Sequence, residues 1–312
     1  MGMMTQQSKQ AMWILLMVIL LSAVFCGAFV VLKDPLVYHV DLRDSNFAHH
    51  CQCRVAQWSD HHHCREGSSL CAPPQLMRWT RRTKIQDHTT VFTDQHLMEA
   101  RDHPRAIAWL LEPMVHQPER YDWVAAHYQW FHTIWTHDRE WMQKIPNAVW
   151  VPNAMTWIPL AHRRLYPKTR DVSFMASDKT GTPAYTLRHQ IFNKIRGLHC
   201  FGTITGTFLA QRYRAFAPFR FTVVVENEVR RGYYSEKLID ACLTGCIPIY
   251  RGDHDTVFHV LPFDTLAELD NQLAKCTESY YEQHRDAVRA NFERAQELVN
   301  TEDWIIKHLG TP

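Results

Sequence analysis

Residues 219–253 read FRFTVVVENEVRRGYYSEKLIDACLTGCIPIYRGD. Phe219 to Val225 is rich in β-branched and aromatic residues, the pattern of a strand buried on both faces. Glu226 and Asn227 follow, so two polar side chains emerge at its carboxyl end. A loop with Arg230, Arg231 and Gly232 leads to a helix predicted over Ser235–Leu243, capped by Ser235 and followed by Gly245. Ile247–Tyr250 reads as a second short strand. Strand, helix and strand in that order make the unit of a parallel sheet. The helix start directs backbone amides at any nearby phosphate, and Lys237 adds a positive charge there. Asn227, Tyr233, Glu236 and Lys237 therefore fit a nucleotide-sugar pocket. On composition alone they fit a capped surface helix with an exposed Glu–Lys pair equally well.

The same alternation extends in both directions. Upstream, strands are predicted at Val91–Thr93, Ala106–Leu111, Thr133–Thr136, Ala148–Val151, Asp171–Ala176 and Leu198–Gly202. Helices are expected over Trp123–Trp130 and over Pro183–Ile195, the second with Pro near its start. Downstream, Leu266–Leu309 reads as mostly helical. These elements imply an α/β chain of two facing Rossmann-like domains, at 74–167 and 168–312, with a ligand beyond the carboxyl ends of the strands. Seven of the eleven tryptophans fall between Trp109 and Trp157, and most of them read as core.

The N-terminus is of another character. After a ten-residue tail, Ala11–Leu32 holds no charged residue; as a helix it would be about 33 Å long, enough to cross a bilayer. A cleaved signal peptide would have a shorter apolar core, so an uncleaved anchor is expected, with the remainder of the chain on the lumenal side. Residues 33–73 read as a polar stem. In it Cys51, Cys53, Cys64 and Cys71 lie among His49, His50, His61, His62 and His63. On an oxidising side these cysteines favour disulfides; the rival is zinc, for which no C-x-x-C pair speaks. The net charge is +2, without the strong basic excess of a dedicated nucleic-acid binder. Asp253-His254-Asp255 has the D-x-D spacing of some metal-dependent transferases but reads as a polar turn. Cys242 and Cys246 read as buried thiols.

The spacing within 219–253 resembles the donor-binding signature of the α1,3/α1,4-fucosyltransferases, glycosyltransferase family 10. Glu226-Asn227 matches the family's E-N. Tyr233 follows Asn227 by six residues, and Glu236-Lys237 follow it by nine and ten, as in the family. Pro248 and Gly252 match the turn after the helix. Glu228 stands where the family has Ser or Thr, and Ser235 where it has Thr. Upstream, Val172–Asp178 resembles a strand ending in S-N, with Asp178 for Asn. Arg188 matches an arginine that holds the donor pyrophosphate. His199–Gly202 resembles the next strand, with Thr203 where Arg is common. Ala108–Glu112, with Phe131–Asp138 beyond it, resembles the first-domain pattern that ends in the proposed catalytic glutamate.

What the resemblance implies is a GT-B type fold and inverting transfer of fucose from GDP-fucose to a hydroxyl of a glycan acceptor. Glu112 would be the base. Arg188 and Lys237 would meet the diphosphate, Glu226 and Ser235 would belong to the donor site, Glu236 would bind ribose or sugar hydroxyls, and Asn227 and Tyr233 would position the donor. No cofactor is required in this reading, because fixed cations replace a metal; a divalent ion is compatible but not essential. The implied setting is a single-pass type II protein of the Golgi membrane, held through residues 11–32. Two rivals are the same fold with another nucleotide sugar, and a membrane-anchored sugar-binding protein without turnover.

Overall fold

The computed structural model describes residues 37–43, 74–80, 89–153 and 155–312. The expected anchor at 11–32 and the Cys/His cluster at 49–71 lie outside the described residues. Among those described, no helix is long and apolar enough to cross a membrane.

Two parallel sheets carry the fold. The first contains β1 (Tyr38–Arg43), β2 (Met77–Thr80), β3 (Thr90–Thr93), β4 (Ala106–Leu110), β5 (Thr133–Thr136) and β6 (Ala148–Trp150), ordered β2-β1-β3-β4-β5-β6. The second contains β7 (Arg170–Met175), β8 (His199–Phe201), β9 (Phe219–Val225), β10 (Ile247–Arg251) and β11 (Leu261–Pro262), ordered β11-β10-β9-β7-β8. Both run strand by strand in the same sense and reverse direction of winding once, between β1 and β3 and between β7 and β9. Crevices at such reversals, beyond the carboxyl ends of the strands, are where ligands bind in open α/β sheets.

The strand and helix predictions around 219–253 match closely, because β9 is buried along all seven of its residues and is flanked by capped elements. Ser235 caps the helix Glu236–Leu243, whose six residues from Leu238 are buried. That helix packs on β9 and β10 and against the helix Arg285–Gln296. Of the tryptophans, Trp109 and Trp135 are buried and meet edge to face, 5.4 Å between ring centres.

Three readings need correction. The stretch 33–73 is not all stem: Tyr38–Arg43 is an inner strand, paired with β2 and β3, with Val40 and Leu42 in the core. The helix expected over Trp123–Trp130 spans Pro118–Ala126 instead, because Pro118 is well placed at a first helical turn and the chain tightens at His127. The range 168–312 is not wholly a second domain, because the chain returns to the first sheet. The helix Thr301–Leu309 places Ile305 among Val40, Leu42, Trp79 and Trp109. Glu302 accepts the Trp79 indole N–H at 3.1 Å, and Asp303 accepts the backbone N–H of Gln75 and Leu76, each at 2.8 Å.

This return predicts that Ile305→Ala lowers stability by about 2–5 kcal/mol, the usual cost of emptying a fully buried branched site. Val257→Ala, at a side chain 64% exposed, is the control and should stay within about 0.5 kcal/mol of wild type. Urea titration of both checks this; equal effects would mean the helix does not dock as described.

Candidate functional site

The site is built from three chain segments that leave their strands at carboxyl ends. From β9 come Glu226 and the loop to Tyr233. Glu226 is fully buried. Its two oxygens accept the Ser235 backbone N–H at 3.0 Å and the Ser235 hydroxyl at 2.5 Å, and the Lys237 ammonium stands 3.8 Å away. Burial raises its pKa, against the pull of Lys237. Glu226 thus faces inward and holds the loop. Lys237 donates to Ser235 Oγ at 3.0 Å and lies 3.2 Å from Glu236. For Glu236, burial alone would raise the pKa, but Lys237 and Arg212 hold it down at about 2, so it is ionised.

From β7 come Ala176–Lys179 and the helix Pro183–Lys194, which Thr182 caps. The helix presents Arg188, buried, toward the end of β9. There Arg188 donates to the Val225 carbonyl and, at 2.9 Å, to the Asn227 side chain. Its guanidinium also lies over the Tyr185 ring, 5.1 Å from its centre. Asp178 and Thr203, both departures from the family pattern, answer each other: the Thr203 hydroxyl donates to Asp178 Oδ1 at 2.8 Å and accepts the Asp178 N–H at 3.1 Å. Gly202 beside them is obligatory, since φ is +91° and a Cβ would lie 2.3 Å from the Ala176 carbonyl oxygen.

From β4 comes the loop to helix Pro118–Ala126, carrying Glu112 and His116. Tyr121, buried, donates its hydroxyl to the Glu112 carbonyl at 2.9 Å and so ties the loop down. Burial raises the Glu112 pKa, with Asp94 adding to the effect, while Lys237 and Lys179 act the other way. Glu112 of the first sheet and the cations of the second are therefore electrostatic neighbours. His116 lies 5.9 Å from the Tyr185 ring. Burial, Lys237, Lys179 and Arg188 all lower its pKa, so the imidazole is neutral at neutral pH. Tyr233 is buried against His137 of the first sheet, 4.7 Å between ring centres, and so packs the interface between the halves.

The structure thus brings Glu112, Arg188, Asn227, Glu236 and Lys237 to one place, with Glu226, Ser235 and Tyr233 forming the support behind them. Lys179, His116 and Asp94 belong to the same electrostatic group and were not singled out from the sequence. Lys179 had a usable signal, lying just beyond the end of a predicted strand. His116 had none. Asp253 accepts the Gly232 N–H at 2.8 Å and the Asp255 N–H at 2.9 Å, which makes D-x-D a polar turn. Among the described residues no cluster of three or more His, Cys, Asp or Glu is arranged to hold a metal. Cys242 and Cys246 are buried free thiols.

No protein-family profile and no curated protein matches the chain. Solved structures do share its fold. An α1,3-fucosyltransferase crystallised with GDP superimposes with a TM-score of 0.51 at 13% identity, over 90% of this chain and 94% of that one. Anabaena HepE, in complex with UDP and glucose, gives 0.51 at 8% identity, over 88% and 99%. An alpha-glucosyltransferase in complex with UDP gives 0.52 at 9% identity, over 88% and 98%. The chain has the GT-B glycosyltransferase fold.

Proposed function

We propose that the chain is an inverting glycosyltransferase that moves fucose from GDP-fucose to a hydroxyl of a glycan acceptor. One observation carries this reading: Glu112, just beyond β4, lies within electrostatic reach of Lys237 and Lys179 from the other half, and Lys179 in turn of Arg188. The cations suit a diphosphate leaving group, whose developing charge they would stabilise without a metal. Glu112, lifted above the ordinary carboxylate range by burial, suits a base that takes the acceptor proton as the hydroxyl attacks. Neutral His116 beside it is an additional hydrogen-bonding group for donor or acceptor. The spacing of Glu226, Asn227, Tyr233, Glu236 and Lys237 supports GDP-fucose as the donor. The Asp178–Thr203 pair at the ends of β7 and β8 favours a second reading, the same chemistry with another nucleotide sugar. Thermal shift against a panel of GDP, UDP and their sugars separates the two, since a ligand bound only by the native state raises its melting temperature. We also read residues 11–32 as a type II anchor that holds the catalytic part in the Golgi lumen.

Three outcomes follow. Lys237→Ala and Arg188→Ala should each weaken GDP binding by roughly 10- to 150-fold, the equivalent of about 1.5–3 kcal/mol for a lost charge-assisted bond. Calorimetry on folded variants checks this, and unchanged affinity in both removes them from the site. Glu112→Gln should cut single-turnover transfer by about 10²–10⁴ while GDP affinity holds. A base works when deprotonated, so activity falls as pH drops through its pKa. Because that pKa is raised, the acid limb of the wild-type rate profile should lie above the ordinary carboxylate range, and in Glu112→Gln it should vanish. A normal rate in the folded variant would sink the assignment. Finally, deleting residues 1–33, which leaves β1 intact, should move the protein from the membrane to the soluble fraction with GDP binding retained; a protein that stays membrane-bound refutes the anchor.

A further inference from the structure

The loop between β9 and Ser235 does more than approach the donor side. It reaches across to the first sheet and grips the segment that carries Glu112. Glu228 accepts the backbone N–H of Val115 at 3.2 Å through Oε2. Its other oxygen accepts Arg230 Nε at 3.2 Å and Nη2 at 2.9 Å. The same Nη2 touches Met114 Sδ at 3.5 Å. Arg230 Nε stands 3.3 Å from Asp138 Oδ2, and Nη1 lies 3.3 Å from Glu140. Asp138 is buried, and its Oδ1 is committed to capping the helix Arg139–Met142, so only Oδ2 faces the guanidinium. The backbone joins in, with the Arg139 N–H donating to the Arg231 carbonyl at 3.0 Å.

Gly232 lets this loop lie so close. Its φ is +84°, and a Cβ would lie 2.6 Å from the Arg139 side chain and 2.8 Å from the His137 carbonyl. One guanidinium planar fork thus meets three carboxylates, Glu228 of its own loop and Asp138 and Glu140 of the first half, a geometry that a lysine ammonium reproduces only in part.

We propose that Glu228 and Arg230 are positioning residues: a clasp through which the donor-binding half holds loop 111–117, and with it Glu112, in place against the donor. The proposal rests on the glycosyl-transfer reading. It assigns a use to Glu228, whose carboxylate replaces the Ser or Thr of the family pattern. It also means that the base is held by the half that binds nucleotide, so an unclasped loop loses both its aim and part of its burial.

The test uses the full chain with Glu228→Ala, Arg230→Gln and Arg230→Lys. Hydrogen exchange, read without ligand, should rise about tenfold or more in a peptide covering 111–117 for the first two variants. GDP affinity should stay within about twofold by calorimetry, as the groups assigned to the diphosphate are untouched. Turnover of GDP-fucose with an oligosaccharide library as acceptor should fall by about 10- to 100-fold, the cost of a misplaced group. The acid limb of the rate profile should move to lower pH as Glu112 gains solvent, which loss of stability alone would not cause. Arg230→Lys should recover part of the rate. Unchanged exchange in 111–117 overturns the clasp. So does raised exchange with wild-type turnover and an unmoved acid limb. If Arg230→Gln fails to fold, because Asp138 loses its cation, Glu228→Ala decides alone. A wild-type chain that turns over no nucleotide sugar sinks the glycosyl-transfer reading and the positioning role with it, while the exchange data still report whether the loop is held.

Discussion

A carboxylate buried at the end of a strand organises this molecule. Glu226 has no exposed surface, and an ionised or protonated carboxyl in that position is tolerable only if its oxygens are bonded. Both bonds come from Ser235, nine residues on, with Lys237 behind it. The nine-residue excursion must therefore close on itself, and the helix that follows must start where its first turn can serve the glutamate. The first turn of that helix inherits its position from the closure, with Lys237 held between Ser235, Glu226 and Glu236, and Glu236 kept ionised.

Charges of both signs meet between the halves. The second half supplies Arg188, Lys179 and Lys237, with Glu236 ionised beside Lys237, and the first supplies Glu112 and Asp94. The cations favour an ionised Glu112, while Asp94 and Glu236 disfavour it. Burial is the largest cause of the shifts at Glu112 and His116; Lys237 and Lys179 oppose it at Glu112 and add to it at His116.

Three residues that differ from the signature the sequence resembles, Asp178, Thr203 and Glu228, are each bonded to polar partners. Asp178 and Thr203 are far apart in sequence and bond to each other twice. Glu228, which looks like an intrusive charge beside the pocket, is paired with Arg230 two residues later and with the backbone of Val115. A polar group near a buried site is costly alone and acceptable when it is bonded.

How much of this was legible before folding depends on the range of the interaction. β9, the Ser235 cap, the following helix and β10 could be read directly, because burial pattern, cap and glycine stop all act within a few residues. Glu226, Asn227, Tyr233, Ser235, Glu236 and Lys237 lie within that same stretch, so their grouping was legible, whereas Arg188 joins Asn227 only through the fold. Tyr38–Arg43 was not legible. Among its described side chains Val40 and Leu42 join the hydrophobic core, and what makes the segment a strand is the neighbours β2 and β3, not its own pattern. The return of Thr301–Leu309 to the first sheet was hidden for a like reason: an amphipathic helix announces that it will bury one face, not which surface it will cover. The meeting of Glu112 with Lys237, and of Arg230 with Asp138, joins residues about a hundred positions apart. Local preference is set by backbone sterics and hydrogen bonding over a turn or a strand, whereas these contacts exist only once two sheets have closed on one another.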